Sequence, residues 1–266
     1  MSDNKIRVMS HNVWCVTLSN RKELLQENFF RFKPDILCLQ EVTYILYDAG
    51  LLTPLLDEYE LLHHKVDGYV NNTPLLYRKD RFELIESGWH LFDGKNNADT
   101  KSLTWAVLRD KNNGKHIGAL SAHFWWEAKS EEDDIARKYH AEQCIAFIKP
   151  ICDKYNAPVV LGGDFNCKVG SLAYNHLIEE GGKDARNAAL NGADLINTWH
   201  DFPEMDEVSR TYKSAAAPIG SFTDAIDHLI IFGYEKLKVD RFNVPVDEKI
   251  LLSSDHCPIY FDAEML

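Results

Sequence analysis

Short apolar segments recur along the whole chain and indicate a fold rich in β-strands. They contain many Val, Ile, Leu, Phe and Tyr residues, which favour the core strands of sheets. So many strands favour two packed sheets over one open sheet. The predicted strands are Ile6–Ser10, Asp35–Gln40, Leu75–Tyr77, Phe82–Ile85, Leu103–Leu108, Ile117–His123, Val159–Gly162, Ala225–Phe232 and Pro258–Phe261.

Helical patterns separate some of these strands. Arg21–Phe32 carries its apolar residues on one broad face, and Asp133–Tyr155 is the longest helical segment. A third helix is predicted to begin at Ser171, whose hydroxyl is suited to capping its first turn. Strands joined by turns are mixed with strands joined by helices, which favours mixed sheets with helices outside them.

The chain has 266 residues, 45% of them hydrophobic, which is enough for a large core. No Pro-, Gly- or Ser-rich linker interrupts it, so the sequence predicts a single domain over residues 1–266.

The chain is acidic, with 41 Asp and Glu against 29 Lys and Arg and a net charge of -12. Proteins that hold nucleic acid mainly through phosphate contacts usually present a basic face, and no Lys/Arg run predicts one here. The charge therefore favours a small substrate. Nucleic acid stays open as a partner, because a bound metal ion can attract a phosphate locally.

The sequence also bears on the compartment. The N-terminus lacks an apolar core of signal-peptide length, and no segment has the roughly 18 apolar residues of a membrane span. The 6 cysteines form no C-x-x-C pair, and most lie in apolar runs. Buried free thiols in a reducing compartment, and hence a cytoplasmic protein, are the simplest interpretation.

Polar side chains are concentrated where the predicted strands end. A carboxylate, an amide or an imidazole lies at nearly every strand terminus, where a sheet opens onto its rim and sites tend to assemble. These termini carry Asn12, Glu41, His123, Asp164 with Asn166, Asp227, and Asp255 with His256.

Each of these residues alone has an ordinary explanation. Taken alone, Glu41 is interpreted as a solvated residue at a strand end. His123 alone is interpreted as a hydrogen-bonded histidine of the core or the surface. Asp227 and His228 alone are compatible with a turn. The segment Gly162–Asn166 is more specific, because two glycines permit close backbone approach before an acid and an amide.

In this order, the set resembles the endonuclease/exonuclease/phosphatase superfamily. The resemblance implies a four-layer α/β/β/α sandwich, with two packed mixed β-sheets flanked by helices, and divalent-metal cleavage of phosphoesters. Segments 76–79 and 104–106 are similar to intervening strands of that superfamily. The matching pieces are Ser10-His11-Asn12, Leu39-Gln40-Glu41, Ser121-Ala122-His123, Gly163-Asp164-Phe165-Asn166, Ile226-Asp227-His228 and Ser254-Asp255-His256.

The resemblance implies a metal site with Glu41 as the main ligand and Asn12 and Asp255 completing it. Carboxylate and amide oxygens suit hard cations, so Mg²⁺ is the first expectation and Mn²⁺ the second.

The resemblance also implies catalytic roles for five residues. His256 would act as general base towards water, with Asp227 orienting its imidazole. Asp164 would hold the water, and Asn166 would donate to a phosphoryl oxygen. His123 would stabilise the transition state or protonate the leaving oxygen. Whether Asp164 or the Asp227–His256 pair deprotonates the water is left open.

The chain departs from the superfamily pattern at one position. Ala225 stands two residues before Asp227, where an arginine is frequent. Arg78, Arg137 and Lys213 are candidate replacements, although Arg137 is also interpreted as a packing or ion-pairing residue. His228 is expected to face away from the site, because side chains alternate along a strand.

Two tryptophans, Trp125 and Trp126, follow His123 closely. They are interpreted either as a loop packed on the sheet rim or as a substrate-binding platform, since indole faces stack on rings.

Three functions are weighed. The leading prediction is a phosphodiesterase or phosphomonoesterase that uses water as nucleophile. The alternative is a DNA or RNA endo- or exonuclease of the same superfamily, which the acidic charge disfavours. A non-catalytic binding protein that retains the fold is the third, and the presence of the expected site residues argues against it.

Overall fold

The computed structural model describes residues 4–16, 18–63, 69–200 and 202–266. Three single 3-10 turns cover Thr53–Asp57, Phe222–Asp224 and Tyr234–Lys236. The helices are α1 (Arg21–Phe32), α2 (Tyr44–Asp48), α3 (Glu131–Tyr155), α4 (Leu172–Glu179), α5 (Ala185–Ala188) and α6 (Glu248–Ser253). The strands are β1 (Lys5–Asn12), β2 (Ile36–Gln40), β3 (Tyr59–Leu62), β4 (Leu75–Arg78), β5 (Phe82–Leu91), β6 (Ser102–Asp110), β7 (His116–His123), β8 (Val159–Asp164), β9 (Lys183–Asp184), β10 (Glu204–Met205), β11 (Tyr212–Ser214), β12 (Asp227–Phe232), β13 (Leu237–Asn243) and β14 (Ile259–Met265).

Two six-stranded sheets form the centre of the fold in the described part of the chain. The first has the strand order β13-β14-β1-β2-β4-β3, and the second has β5-β6-β7-β8-β12-β9. Each contains one parallel pair, β1 with β2 and β7 with β8, beside antiparallel neighbours. The strands β10 and β11 form a separate hairpin. The predicted pair of mixed sheets is confirmed.

Alternating side chains divide the core into layers. Along β8, Val160 belongs to a cluster that includes the core residues of the first sheet and Leu25 and Phe29 of α1. Val159 and Leu161 face the other way, into a cluster shared with α3 and α4. This alternation is the period-two pattern of a strand that is buried on both faces. The result is the four-layer arrangement of helices, two sheets and helices.

The predicted helices are confirmed, with one boundary extended. The first begins and ends at the predicted residues. The long helix α3 begins two residues earlier than predicted, because Ser130 and Asp133 form a reciprocal capping box at its start. Ser171 caps α4, and its hydroxyl accepts a hydrogen bond from the amide of Tyr174 at 3.4 Å.

All nine predicted strands are present, and five further strands within the described ranges were not predicted. Three of these, β9, β10 and β11, have two or three residues each. The other two are the edge strands β3 and β13 of the first sheet, and β13 is interrupted by an irregularity between Val239 and Arg241. Edge and very short strands carry weak apolar patterns, because one side of them meets solvent.

All six cysteines are free thiols, and Cys38, Cys144, Cys167 and Cys257 are buried. Cys15 is exposed, which differs from the expectation of buried thiols. Among the described residues, no helix is both long and apolar enough to cross a membrane.

Candidate active site

The ends of several strands meet at one edge of the paired sheets. Asn12 lies opposite Gln40 in the parallel pair of β1 and β2, so Glu41 follows directly beside it. In the second sheet, Asp164 lies opposite both His123 of β7 and Asp227 of β12. Because β12 is antiparallel to β8, its first residue reaches the same edge as the last residue of β8.

Asp164 is the centre of this cluster and is buried. Its Oδ2 accepts a hydrogen bond from Asn12 Nδ2 at 3.0 Å and lies 3.4 Å from His123 Nε2. The same oxygen is 3.8 Å from His256 Nε2. Burial opposes ionisation of Asp164, but the hydrogen bond from His123 and the charge of His256 outweigh it and hold its pKa well below the usual range.

Glu41 lies beside Asp164 across the sheet interface. Its Oε1 accepts a hydrogen bond from Asn12 Nδ2 at 3.1 Å and is 3.9 Å from His123 Nε2, while Oε2 accepts from the amide of Cys15 at 2.8 Å. Burial opposes its ionisation, but His123 and Lys101 outweigh this effect and lower the pKa of Glu41 to about 2. The carboxylate is therefore held as an anion.

Asn12 joins the two carboxylates through its amide nitrogen. Its Oδ1 is occupied by the backbone amide of Trp14 at 2.9 Å. The side-chain nitrogen, which donates to both Glu41 and Asp164, is thus the atom of Asn12 that faces the cluster. Ligation of a metal by Asn12 stays a prediction.

Lys101 is a site residue that the sequence analysis missed. It is only 4% exposed, and its Nζ lies 2.8 Å from His123 Nε2. Burial is the larger effect on its pKa, which falls to about 8 despite the charges of Glu41 and Asp164. A signal existed, because Lys101 comes just before β6, and β6 runs antiparallel to β7, which ends at His123. None of the three predicted replacements for the missing arginine lies in this cluster.

Those three cations are engaged elsewhere. Arg78 pairs with Asp80 at 2.5 Å, and Lys213 pairs with Glu204 at 2.8 Å. Arg137 is buried and pairs with Asp134, as the packing interpretation predicted.

The second half of the site is a hydrogen-bonded chain of three side chains. His256 Nδ1 lies 2.9 Å from Asp227 Oδ2, and Thr198 Oγ1 donates to the same oxygen at 2.6 Å. Burial lowers the pKa of His256, but the charges of Asp227 and its acidic neighbours outweigh burial and raise it well above its ordinary value. Thr198 was also missed, because nothing in the segment around it distinguishes it.

Asp255 precedes His256 and is buried. Burial and the nearby charges of Glu41 and Asp164 raise the pKa of Asp255 to about 6, against the opposing effect of His256. Its carboxylate has a single long contact among the described residues, 3.4 Å from Ser254 Oγ. A buried carboxylate with so few donors is suited to a cation.

Asn166 lies at the end of the Asp164 segment with a positive φ of 49°. Its amide N–H donates to Asp164 Oδ1 at 2.9 Å, and its Nδ2 donates to the carbonyl of Phe124 at 3.2 Å. His228 faces the other way, as predicted, and its Nε2 contacts the carbonyl of Cys167 at 2.8 Å.

Trp125 and Trp126 lie beyond the end of β7. Trp125 Nε1 donates to Asp133 Oδ1 at 2.7 Å, so this indole is fixed to the start of α3. Trp126 is 50% exposed, and the two ring centroids are 6.3 Å apart. Their binding role stays a prediction, with Trp126 the more accessible of the two.

Two groups of side chains have ligand atoms close enough to share an ion. One is Glu41, His123 and Asp164, and the other is Asp164, Asp227 and His256. Within each group the atoms lie within 4.8 Å of one another. The fold and this edge cluster together define a four-layer sandwich with an acidic and imidazole-rich centre between its two sheets.

The chain belongs to the Endonuclease/Exonuclease/phosphatase family, whose model matches residues 9–256. It is 22% identical over 308 residues to the CCR4-Not complex 3'-5'-exoribonuclease subunit Ccr4 of Kluyveromyces lactis. That match covers 92% of this chain and 37% of the relative, so the chain spans little more than a third of the curated protein it matches.

Solved structures show the same fold. An endonuclease/exonuclease/phosphatase from Bacteroides vulgatus has a TM-score of 0.78 and 25% identity, covering 98% of this chain and 99% of the other. A mannosyl-6-phosphatase of Bacteroides thetaiotaomicron has a TM-score of 0.75 and 19% identity, covering 97% and 99%.

Proposed function

We propose that the protein is a divalent-metal-dependent hydrolase that cleaves phosphoester bonds by attack of water. The observation that carries this proposal is the position of Asp164, which contacts Asn12 and His123 on one side and approaches His256 on the other. One carboxylate thus links a cluster of ligand-type side chains to an imidazole supported by an acid. Members of the family are hydrolases that act on phosphoester bonds, which supports the same conclusion.

The residues present fit a divalent cation. Glu41, Asp164 and Asp255 bring three carboxylates into one largely buried corner, where burial first and then the charges of Glu41 and Asp164 raise the pKa of Asp255. Oxygen donors of this kind suit Mg²⁺ or Mn²⁺. We infer that Glu41 and Asp255 hold the ion, with Asn12 close by. Such an ion neutralises charge on phosphoryl oxygens and favours the deprotonated forms of neighbouring groups.

The remaining side chains support a division of labour. His256, in its neutral form, accepts the proton of the attacking water, and Asp227 fixes its imidazole through the 2.9 Å contact to Nδ1. A bound cation would favour that neutral form by opposing the acidic charges that raise the pKa of His256. Asp164 orients the water between the two halves of the site. His123 and Lys101 supply positive or donor groups to the phosphoryl oxygens, and Lys101 takes the place of the arginine absent at Ala225. Asn166 is proposed as a further donor.

The substrate is proposed to be small. The net charge of -12 repels a long polyanion, so a phosphomonoester or a small phosphodiester is favoured over DNA or RNA. The Ccr4 relative is named as an exoribonuclease, and this name supports nuclease activity as the second candidate.

We further propose that residues 1–266 form one domain and that the protein is cytoplasmic, in keeping with its free thiols.

The proposal is tested with a panel of phosphoesters in Mg²⁺, Mn²⁺ or EDTA. It compares wild type with Glu41→Ala on aryl phosphomonoesters, aryl phosphodiesters, sugar phosphates, phospholipid head groups and short DNA or RNA. We expect cleavage of one class, lost in EDTA and in the variant. Thr43→Ala, two residues away and outside the cluster, is the control. Wild-type turnover in EDTA would contradict metal dependence.

His256→Ala separates the catalytic role from binding. Removal of a general base typically lowers kcat by about 10²–10⁴-fold, and the fold is expected to stay intact by circular dichroism. Unchanged turnover in this variant would refute the role given to His256. If wild type cleaves no ester of the panel but binds metal in calorimetry, the non-catalytic alternative would be favoured.

A further inference from the structure

An aromatic wall lies next to the proposed site. We define it as Trp14, Trp199, Phe202 and Tyr212. The ring of Trp14 lies 5.3 Å from that of Phe202 and 5.7 Å from that of Tyr212, and Phe202 lies 6.2 Å from Trp199 in an edge-to-face contact. Rings from three parts of the chain, at position 14, positions 199 and 202, and position 212, thus form one connected group.

The wall is connected to site residues at Trp14 and at Trp199. The amide of Trp14 donates to Asn12 Oδ1 at 2.9 Å. Trp199 pairs with His256 in an isolated antiparallel bridge, and its neighbour Thr198 bonds Asp227. Any group bound on the wall is therefore next to the side chains proposed to act on phosphorus.

Hydrogen bonds and a cation–π contact hold two residues of the wall, Trp14 and Tyr212, in place. The guanidinium of Arg21 is buried, lies 4.7 Å from the ring of Trp14, and donates to the carbonyls of Trp14 at 3.0 Å and Ser253 at 2.8 Å. The side chain of Asn20 bonds both the amide and the carbonyl of Tyr212, at 2.8 and 3.0 Å. Ring faces fixed in this way lose little entropy on binding.

The wall nevertheless presents apolar faces to solvent. Phe202 is 57% exposed and Trp199 is 37% exposed. The side-chain amide of Asn197, on the same segment, is already engaged by the carbonyl of Ile219 and by the amide of Thr198. Exposed ring faces favour a flat aromatic ring as the bound group.

We propose that this wall binds the nucleobase adjoining the scissile phosphate of a small nucleotide ester. The inference rests on the proposed function and narrows its substrate class. Every base has a π-face that can stack on such rings, and the net charge of -12 limits the substrate to few phosphates. A nucleoside phosphodiester or a very short strand meets both conditions.

The test compares two esters with the same scissile bond, thymidine 5'-p-nitrophenyl phosphate and methyl p-nitrophenyl phosphate. Wild type, Phe202→Ala, Phe202→Tyr and Trp199→Phe are assayed with Mg²⁺. We expect wild type to prefer the thymidine ester. The ratio of kcat/KM for the two esters should fall by about 5- to 150-fold in Phe202→Ala. The ratio should stay close to the wild-type value in Phe202→Tyr, because this variant retains an aromatic ring.

Tyr139→Ala is the matched control, because Tyr139 is an exposed aromatic residue on α3, outside the wall. Its ratio should equal that of wild type. An equal fall for both esters in Phe202→Ala would assign the wall to the aryl leaving group and overturn the nucleobase proposal. An unchanged ratio, or cleavage restricted to sugar phosphates, would overturn it as well while leaving phosphoester hydrolysis standing.

A binding measurement separates failure of this inference from failure of the proposed function. Thymidine 5'-monophosphate is titrated against the intrinsic tryptophan fluorescence of wild type, Phe202→Ala and Tyr139→Ala. Quenching that weakens only in Phe202→Ala supports the wall even if no ester is hydrolysed. Equal quenching in all three proteins, or none, contradicts it.

Discussion

Crowding of like charges is the main property of the site at the scale of single residues. Glu41, Asp164 and Asp255 lie together in a largely buried corner, where Asn12, His123, Lys101 and His256 offset their charge. The pKa of Glu41 falls to about 2 while that of Asp255 rises to about 6, so neighbouring carboxylates of similar chemistry are held in different states. Their environments, and not the residue types, set this difference.

Asp255→Asn is expected to stabilise the metal-free protein above pH 6. The pKa of Asp255 rises from 3.8 to about 6 on folding, so the folded state favours the protonated carboxyl. Stability from this group is complete below pH 3.8, falls as pH rises towards 6, and then stays low. The side chain in Asp255→Asn is neutral at every pH, so the variant avoids a loss of folding stability on the order of 2–3 kcal/mol.

Urea unfolding in EDTA at pH 4 and pH 8 measures this effect. The gain in Asp255→Asn should be large at pH 8 and small at pH 4, and Mg²⁺ should reduce it by stabilising wild type. A variant less stable than wild type at pH 8 would contradict the proposed charge crowding.

Thr198→Val removes the hydroxyl that positions Asp227. The hydroxyl donates to Asp227 Oδ2 at 2.6 Å, and its loss leaves a buried acceptor with fewer donors. We expect kcat to fall by about 10- to 100-fold while KM changes little, because misalignment of reacting groups is costly. Thr198→Ser keeps the hydroxyl and should retain most activity. An increase in KM with constant kcat would indicate a role in binding instead.

At the scale of elements, the side chains of the proposed site lie at strand ends. The packing of the strand interiors determines where those ends meet. The parallel pairs β1–β2 and β7–β8 bring their carboxyl ends to one edge, and antiparallel β12 and β14 begin there. Gly162 lies where the sheets approach, since a Cβ there would be 3.4 Å from Ser10 Cβ of β1. The site thus depends on close packing of two sheets around a glycine.

Gly163→Ala should be far more damaging than Gly162→Ala. A Cβ on Gly163 would lie 2.0 Å from the backbone oxygen of Ala122, so β7 and β8 would have to move apart beside His123 and Asp164. At Gly162 the nearest atom is Leu229 Cδ2 at 2.9 Å, the end of a flexible side chain. Overpacking costs typically about 1–3 kcal/mol, which we expect for Gly162→Ala, with a greater loss for Gly163→Ala. Equal urea midpoints for the two variants would contradict this.

At the scale of the whole molecule, an acidic protein carries the proposed phosphoester site. The net charge of -12 repels an anionic substrate over distances of about 10 Å at 0.1 M salt. The cationic groups of the proposed site attract a phosphate only when it is in contact with them. Long-range repulsion therefore grows with the number of phosphates on a substrate, and local attraction does not.

Added salt should increase the rate on a polyanion and leave a small ester unaffected. Between 20 and 200 mM NaCl (about a threefold change in Debye length), kcat/KM for a single-stranded 20-mer should rise, because screening relieves repulsion. Methyl p-nitrophenyl phosphate is the control and should change little. A steep fall with salt on the 20-mer would indicate a basic nucleic-acid groove and favour the nuclease alternative.

The sequence by itself determined the predicted strands, the helices α1, α3 and α4, and the polar residues at the strand ends. These follow from local periodicity and from the position of Asn12, Glu41 and Asp164 along the chain. Local patterns of this kind depend on neighbouring residues only, so they can be read without knowledge of the sheet order.

Only the tertiary structure decided which side chains support the site from a distance. Lys101 reaches His123 through an antiparallel pair of strands, and Thr198 reaches Asp227 from a loop 29 residues away. The aromatic wall likewise joins Trp14 to residues near position 200. Strand pairing within a sheet and packing between the sheets bring such residues together, and no local pattern encodes these long-range contacts.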